Sequence, residues 1–384
     1  MNKYPLATNV ERAALQALDS GLSKRETAEK LGVSRQSVQQ AIKRYNRRVS
    51  IHDNEDALVR GTSTLYDSDG NEKLKWVKTK LKDKAHETVL RELARALAED
   101  VKPIPEVKTP RRCSRDVLAV YPIGDLHLGM YAWAAEAGEA WNTSKAASVM
   151  LKSAKEVVSR TAPAHQCVIA NLGDFFHTDN MKNRTRSGHS LDVDGKQKEI
   201  LKVGVDLLVS IVRLALKKHK SVRLINEVGN HDELTSYALS LMLEQTFKQN
   251  KRVAVDLSPK PYHKVRFGRN LIGIHHGHLM GPDALYKLMA EEWHQDWSEC
   301  VYRYWYTGHI HHTTKKEVGS MEVESFRTLI PKDAYHSGKG YQAKRDLTSI
   351  LLHKDFGEEQ RHVVSIRFID KMRALNAKSK GAKR

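Results

Sequence analysis

The chain has 384 residues and a formal net charge of +18 at pH 7. Its length exceeds what one hydrophobic core usually holds, so roughly two or three domains are expected, and its charge is typical of a protein that meets phosphates or another polyanion. The three cysteines lie far apart, which excludes a disulfide framework and a cysteine-rich zinc site. No run is apolar enough to span a bilayer or to act as a signal peptide, so the sequence predicts a cytoplasmic protein without a membrane partner.

Residues 1–50 carry the pattern of a helix-turn-helix domain. Ser23 and Glu26 form a capping box, Gly32 stands where the chain must turn, and Ser34 can cap the next helix. In DNA-binding modules of this kind the second helix enters the major groove and presents side chains to bases and phosphates. The DNA-binding residues predicted on that helix are Arg35, Gln36, Ser37, Gln39, Gln40, Lys43 and Arg44. A small helical bundle with a solvated basic face is the alternative.

Residues 51–115 are predicted to hold a hairpin, a charged helix and a linker. The hairpin turn is DSDG, the helix is DKAHETVLRELARALAED, and the linker is the proline-containing VKPIPEVKTPRRCSRD. A large domain is expected over 116–370. The basic tail at 371–384 has no acidic residue and is predicted to be disordered.

The large domain alternates strands with amphipathic helices, which is an α/β pattern. The first predicted strands are DVLAVYPI, CVIANL, VRLINEV, RNLIGIH and YRYWYT. Helices are predicted at Ser144 to Arg160, Lys196 to His219, Tyr237 to Gln249 and Asp283 to Trp293. Three later strands are predicted in MEVESFRTLI, LTSILLHK and HVVSIRFI.

The same types of polar residue follow each of the first five predicted strands. The turns are GDLH with Asp125 and His127, GDFFH with Asp174 and His177, GNHD with Asn230 and His231, HGH with His276, and GHIH with His309 and His311. Because functional groups collect at the carboxyl ends of strands in open α/β sheets, these turns can converge. Carboxylate, amide and imidazole ligands together suit Mn, Fe or Zn better than Ca, and their number is sufficient for two ions.

These turns resemble the calcineurin-like metallophosphoesterases, whose pattern is D-x-H, G-D, G-N-H-D or G-N-H-E, a histidine before glycine, and G-H-x-H. All five blocks occur in that order. The resemblance implies two packed mixed β-sheets flanked by helices, and two divalent ions, Mn²⁺ in the first place with Fe or Zn as alternatives. It also implies a ligand set: Asp125, His127 and His311 for one ion, Asn230, His276 and His309 for the other, and Asp174 as the bridge.

The resemblance implies roles for two further histidines. His231 would be the acid that protonates the leaving alkoxide or assists the phosphate. GDFFH is similar to the G-D-L-F-H of SbcD-type DNA repair nucleases, so His177 is predicted to contact substrate, with a hydrogen-bonded loop histidine as the alternative. Those nucleases carry no N-terminal helix-turn-helix, and their segment that grips a coiled-coil ATPase is not recognisable here.

The remaining histidines are predicted to lie outside the ligand set. His275 should point to the opposite face from His276, because side chains alternate along a strand. His278 and His312 are expected behind the ligands or at the surface. His165, His219, His294 and His336 have no motif around them and are predicted to be surface or boundary residues.

The sequence thus predicts a metal-dependent phosphodiesterase that acts on DNA, in the first place a nuclease. The sequence after Asp174 lacks the G-D-Y-V-D-R-G of protein phosphatases. Two alternatives stay open: a phosphodiesterase for cyclic nucleotides or other small phosphodiesters, and a DNA-binding regulator with a vestigial phosphoesterase domain. DNA is the predicted partner, and a homo-oligomer is left open.

Overall fold

The computed structural model of the protein describes residues 9–52, 57–66, 72–81, 107–179, 183–184, 190–331 and 344–372. At 9–10, 44, 46–52, 57–66 and 72–81 it describes the backbone alone. The chain forms two compact units, Met1–Leu90 and Arg91–Arg384. The predicted charged helix, the first part of the linker and the tail beyond residue 372 lie outside the described residues, and the predicted domain boundaries stay predictions.

The helix-turn-helix prediction is confirmed in the first unit. Its helices are α1 (Asn9–Asp19), α2 (Lys24–Leu31) and α3 (Arg35–His52). The amide of Glu26 donates to Ser23 Oγ and the amide of Ser23 donates to the Glu26 carboxylate, which is the predicted capping box. Gly32 ends α2 with a left-handed φ of 62°, a conformation that glycine adopts without strain. The amide of Ser37 donates to Ser34 Oγ, so Ser34 caps α3 as predicted.

The buried side chains of this unit come from all three helices. Ala14, Ala28 and Val38 form a small core, with Leu31 and Ile42 packed against it. A predicted hairpin follows, with β1 (Ala57–Tyr66) antiparallel to β2 (Glu72–Leu81). The periodic apolar residues of α1 to α3 therefore pack into the core of one helical bundle.

The second unit contains two mixed β-sheets. The first is built from β3 (Ser114–Ile123), β4 (Ala164–Asn171), β5 (Ser221–Asn226), β6 (Val253–Val255), β12 (Asp346–His353) and β13 (Gly357–Ser365), in the order β13-β12-β3-β4-β5-β6. The second is built from β7 (His263–Phe267), β8 (Asn270–His275), β9 (Tyr302–Thr307), β10 (Thr314–Val318) and β11 (Met321–Ser325), in the order β10-β11-β9-β8-β7. Strands β3 to β6 run parallel, whereas β12 and β13 are antiparallel to their neighbours.

Helices cover the outer faces of the two sheets. They are α4 (Ala134–Ala137), α5 (Thr143–Arg160), α6 (Gln197–Lys218), α7 (Glu233–Phe247), α8 (Pro282–Glu292) and α9 (His294–Glu299), with a last helix, α10, over 366–372. Between the sheets, Val120 and Val168 of the first pack with Ile272 and Tyr306 of the second. On its outer face the second sheet packs Trp305 against α8. The predicted fold of two packed mixed sheets flanked by helices is confirmed, and no described helix meets the length and apolarity that crossing a membrane requires.

Several predicted element boundaries were wrong, and the strand predicted over MEVESFRTLI, for example, ends at Ser325. Helix α7 begins at Glu233 and not at Tyr237, because the Asp179 carboxylate accepts the amides of Leu234 and Thr235 from another loop. A cap that comes from so far along the chain leaves no local sign in the sequence. The final predicted strand stops at Ser365, and the residues after it form α10. Three short strands, β6, β7 and β10, were not predicted.

His219 is fully buried, so the prediction of a surface or boundary position was wrong for this residue. The amide of Ala164 donates to its Nδ1, and its Nε2 lies 2.6 Å from the Tyr121 hydroxyl. Burial lowers the pKa of His219 to about 4. A neutral imidazole therefore joins α6 to β3 and β4 as part of the core. His165 is partly exposed, His294 is exposed, and His336 lies outside the described residues.

Candidate metal centre

The five polar turns lie at the same end of the packed sheets. In the first sheet the last residues of β3, β4 and β5 are in register, since Ile123 pairs with Asn171 and Asn171 with Asn226. In the second sheet His275 at the end of β8 pairs with Thr307 at the end of β9. Because these strands run parallel within each sheet, the turns after them project from one edge.

Strained backbone is concentrated at these turns. Among the described residues, the non-glycine positions with positive φ are Asp125, His127, Asp174, Asn183, His309 and His311. All but Asn183 are predicted metal ligands. A left-handed conformation of this kind costs on the order of 1–3 kcal/mol at a residue with a side chain, and such residues cluster at functional sites.

One cluster joins the first turn to the last. Asp125, His127 and His311 each offer a ligand atom, and the three atoms lie within 4.8 Å of one another. The Nε2 atoms of His127 and His311 are 3.2 Å apart, and His311 Nε2 lies 3.5 Å from Asp125 Oδ1. Burial lowers the pKa of His127, with nearby His231 adding to the shift, so its imidazole is neutral and able to bind a metal.

A second cluster joins the GDFFH and HGH turns to the same last turn, with Asn230 of the GNHD turn beside it. Asp174, His276 and His309 offer ligand atoms within 4.8 Å of one another. His276 Nε2 lies 3.2 Å from Asp174 Oδ2 and 3.1 Å from Asn230 Oδ1. Asp174 Oδ2 is also 3.8 Å from His127 Nε2, so this carboxylate lies between the two clusters.

The hydrogen bonding of His276 shows that this arrangement fits a cation. Its Nδ1 lies 2.8 Å from the carbonyl oxygen of Leu172, and because a carbonyl only accepts, Nδ1 carries the proton. The lone pair of Nε2 then faces the Asp174 carboxylate, which is repulsive unless a positive charge lies between them. Although burial lowers the pKa of His276, Asp174 raises it to about 10. A cation between the two groups, either a proton or a metal ion, relieves this repulsion.

His231 and His177 lie beside the first cluster. The amide of His231 donates to Asp174 Oδ1 at 2.8 Å, and its ring Nδ1 donates to the carbonyl oxygen of His177 at 2.9 Å. The His177 ring stacks on the His231 ring with centroids 5.7 Å apart, and its Nδ1 lies 3.2 Å from His127 Nδ1. His177 is only 3% exposed. Its predicted contact with substrate stays a prediction.

The importance of Asp232 was not recognised from the sequence. Its buried carboxylate accepts the amides of Gly229 and Phe176 and the hydroxyl of Ser236. It therefore fastens the GDFFH turn to the GNHD turn. Burial, with repulsion from Asp174, raises the pKa of Asp232 to about 7. The GNHD motif contains this aspartate, but only the folded chain shows that it links two loops.

The other histidines near the centre point elsewhere. His275 Nδ1 accepts the amide of Gly277, and the ring packs edge-on against Trp305 on the helix side of the sheet. His278 lies near the second cluster, with its ring 5.1 Å from that of His276, and is not part of it. His312 is exposed, and its Nδ1 donates a hydrogen bond to the carbonyl oxygen of Ile310. Of the adjacent pair, His276 is thus the residue that faces the clusters.

The residues predicted to bind DNA lie along α3. Arg35, Gln36, Ser37, Gln39, Gln40 and Lys43 are all exposed. The Ser37 hydroxyl is 2.8 Å from the Ser34 hydroxyl at the start of the helix. The side chain of Arg44 lies outside the described residues. Val38 and Ala41 are buried between these positions, so one side of α3 is free of the bundle core.

Gly308→Ala should weaken the candidate metal centre. A Cβ at this position would overlap Asp125 Oδ2, while the amide of His309 donates to the same carboxylate at 2.9 Å. The methyl group must displace Asp125 or the turn carrying His309, so we expect Mn²⁺ affinity, measured by isothermal titration, to fall about 10- to 100-fold. Gly281→Ala is the matched control, since a Cβ there meets no atom within 4 Å. Unchanged Mn²⁺ affinity in Gly308→Ala would argue against Asp125 as a ligand.

Comparison with known proteins found one family model and several solved structures that are similar to parts of the chain. A family model described as a homeodomain-like domain matches residues 8–50, the region of α1 to α3. No curated protein matches the chain. Similar solved structures include a conserved uncharacterised protein of Streptococcus pneumoniae, described as a predicted phosphoesterase, at 10% identity and a TM-score of 0.27 over 66% of this chain and 99% of that chain.

Two further structures are similar over much the same part of this chain. A novel archaeal phosphodiesterase is 12% identical, with a TM-score of 0.34, over 64% of this chain and 99% of that chain. Vacuolar protein sorting 29 of Cryptosporidium parvum is 15% identical, with a TM-score of 0.29, over 65% of this chain and 98% of that chain.

Proposed function

We propose that the protein is a metal-dependent phosphodiesterase that cleaves DNA. One observation carries this proposal: the residues with strained backbone are the same residues whose side chains converge. All but one of the strained non-glycine residues in the described chain are Asp or His residues whose ligand atoms meet in two adjoining clusters. Holding such a backbone is costly, and evolution keeps it where the side chains perform chemistry.

The chain offers ligands for two divalent ions. Asp125, His127 and His311 would hold one, and Asn230, His276 and His309 would hold the other, with Asp174 shared between them. Mixed oxygen and nitrogen ligands favour Mn²⁺, with Fe or Zn as alternatives. When bound, such a pair supplies an activated water and neutralises charge that develops on the phosphodiester.

His231 is oriented to act as the acid. Because its Nδ1–H donates to the carbonyl of His177, its Nε2 remains for a proton that can pass to the leaving oxygen. The buried His177 ring stacks on His231 and contacts His127, so His177 positions both histidines. His231 is therefore placed to transfer a proton beside the ligand clusters.

DNA as substrate is supported by the first unit and by charge. The homeodomain-like region presents an exposed polar helix, and the whole chain carries a net charge of +18. Positive charge attracts the phosphate backbone in a salt-dependent way. A small phosphodiester would need neither feature.

The test combines binding with hydrolysis. In Arg35→Gln/Lys43→Gln, duplex DNA affinity should fall, and the slope of log K against log salt should flatten by about 0.9 for each phosphate that the protein no longer neutralises. Lys152→Gln/Lys198→Gln removes the same charge from exposed helical positions in the second unit and serves as the control. Hydrolysis of bis-p-nitrophenyl phosphate should persist, because that ester has no groove for a helix to enter.

Cleavage assays use end-labelled single-strand and duplex DNA with Mn²⁺, Mg²⁺ or Zn²⁺. Equal DNA affinity and equal salt slope in both double variants would refute DNA binding by α3. Hydrolysis of cyclic nucleotides without cleavage of any DNA would replace the proposal with a small-substrate phosphodiesterase.

A further inference from the structure

Two exposed aromatic side chains follow the turn that carries His127. Tyr131 is 46% exposed and Trp133 is 62% exposed, whereas Ala132 between them is buried. Because side chains alternate along an extended segment, both rings project to the same side. A tryptophan this exposed is unusual, since tryptophan is highly buried on average.

The backbone of this aromatic pair is held firmly. Ala132 and Trp141 exchange two backbone hydrogen bonds of 3.1 and 3.0 Å, and the buried Trp141 anchors that pairing. The amide of Tyr131 donates to the carbonyl oxygen of Asp192 at 3.0 Å. Rings held on a fixed backbone lose little freedom when a ligand binds.

The two rings border a pocket of about 350 Å³. Its lining also includes Ala132, Ala137 and two exposed carboxylates, Glu136 and Asp192. Clefts of this size accommodate small ligands. The carboxylates repel phosphate, so despite the strongly basic chain this pocket does not suit the nucleic-acid backbone. A flat ring with N–H donors suits both the aromatic faces and the carboxylate oxygens.

The aromatic pair follows a predicted metal ligand closely in the chain. The amide of Met130 donates to the carbonyl oxygen of His127 at 2.9 Å, which makes 127–130 a β-turn. A β-turn brings its first and last Cα atoms within about 7 Å of each other, and the next Cα is about 3.8 Å further along the chain. The Cα atoms of Tyr131 and His127 are therefore within about 11 Å of each other. The backbone that carries the pocket therefore starts one turn after the predicted ligand His127.

We propose that Tyr131 and Trp133 form a stacking subsite for one unpaired nucleobase, on the nucleotide that adjoins the scissile phosphodiester. This inference rests on the proposed function and narrows it to single-stranded or frayed DNA, because a base must leave the duplex stack to enter the pocket. Glu136 and Asp192 accept the exocyclic amino group of the base. Adenine carries such a group and thymine lacks it, so the subsite favours adenine over thymine.

The test measures the Kd of short fluorescent single strands by anisotropy, with EDTA present to prevent hydrolysis. Trp133→Ala should raise the Kd of an adenine strand about 5- to 150-fold, the range for loss of one stacked base. Trp133→Phe should recover part of the affinity because it restores an aromatic face. Phe356→Ala removes a 71% exposed ring on another part of the second unit and should bind like the wild type.

An abasic nucleotide identifies the bound group. Replacing one base of the strand by an abasic site should weaken binding to the wild type but not further weaken binding to Trp133→Ala. Equal Kd values for wild type and Trp133→Ala would overturn the subsite, even if DNA is cleaved. Loss of affinity without any effect of abasic sites would also overturn it and would favour a protein-binding surface. Because binding is measured without turnover, a protein that cleaves no phosphodiester could still show the subsite.

Discussion

Asp174→Asn should abolish most phosphodiester hydrolysis and lower the metal content of the purified protein. Asp174 Oδ2 lies between His276 Nε2 and His127 Nε2, at 3.2 and 3.8 Å, so its charge serves both clusters. Asparagine keeps an oxygen to accept the amide of His231, which Asp174 Oδ1 accepts at 2.8 Å. The loop is retained while the shared negative charge is removed. We expect turnover to fall by more than about 100-fold, since even residues behind metal ligands contribute about 10- to 100-fold.

Metal analysis and turnover of bis-p-nitrophenyl phosphate measure this effect. Asp206→Asn is the matched control, because Asp206 is an exposed carboxylate on α6 that pairs with Lys202 of the same helix. The control should keep its metal and its activity. Two ions still bound in Asp174→Asn, together with unchanged turnover, would show that this carboxylate is not a shared ligand.

His231→Gln should keep its metals and lose turnover on DNA by about 10²- to 10⁴-fold, the usual contribution of positioned proton transfer. The loss should depend on the leaving group. An alkoxide leaving from DNA needs a proton, whereas p-nitrophenolate is a stable anion and leaves without one. Hydrolysis of bis-p-nitrophenyl phosphate should therefore fall much less than cleavage of DNA.

The comparison of the two substrates tests the acid role directly. His294→Gln, at an exposed position on α9, controls for the substitution itself. Equal losses on both substrates would assign His231 to binding or structure. Wild-type turnover on DNA would exclude any role for it in the chemistry.

Two hydrogen bonds fix the orientation of a predicted metal ligand, His276, and of the predicted acid, His231. His276 Nδ1 donates to the carbonyl oxygen of Leu172, and His231 Nδ1 donates to the carbonyl oxygen of His177. Each bond turns the opposite ring nitrogen toward the clusters. Without the first bond, His276 could present a proton to the site in place of its Nε2 lone pair. Without the second, the Nε2 of His231 would no longer be held toward the clusters as the proton donor.

Much of the architecture follows from local patterns in the sequence. The capping box of α2, the pairing of β1 with β2 and the strands β3, β4, β5, β8 and β9 were predicted because caps, hairpins and buried strands depend on nearby residues. The polar turns were also visible, since Gly, Asp, Asn and His are unexpected directly after an apolar strand. The resemblance to a family with the same ordered turns assigned these residues to two ligand sets, and that assignment stays a prediction.

Only the tertiary structure decided how distant residues act together. His127 and His311 are 184 positions apart in the chain, and their facing nitrogens depend on the packing of one sheet against the other. The cap of α7 by Asp179, the link between two turns by Asp232 and the burial of His219 likewise arise from long-range contacts. The left-handed backbone at the predicted ligands also depends on long-range contacts. Neighbouring loops supply the hydrogen bonds that hold a conformation unfavourable to the residue itself.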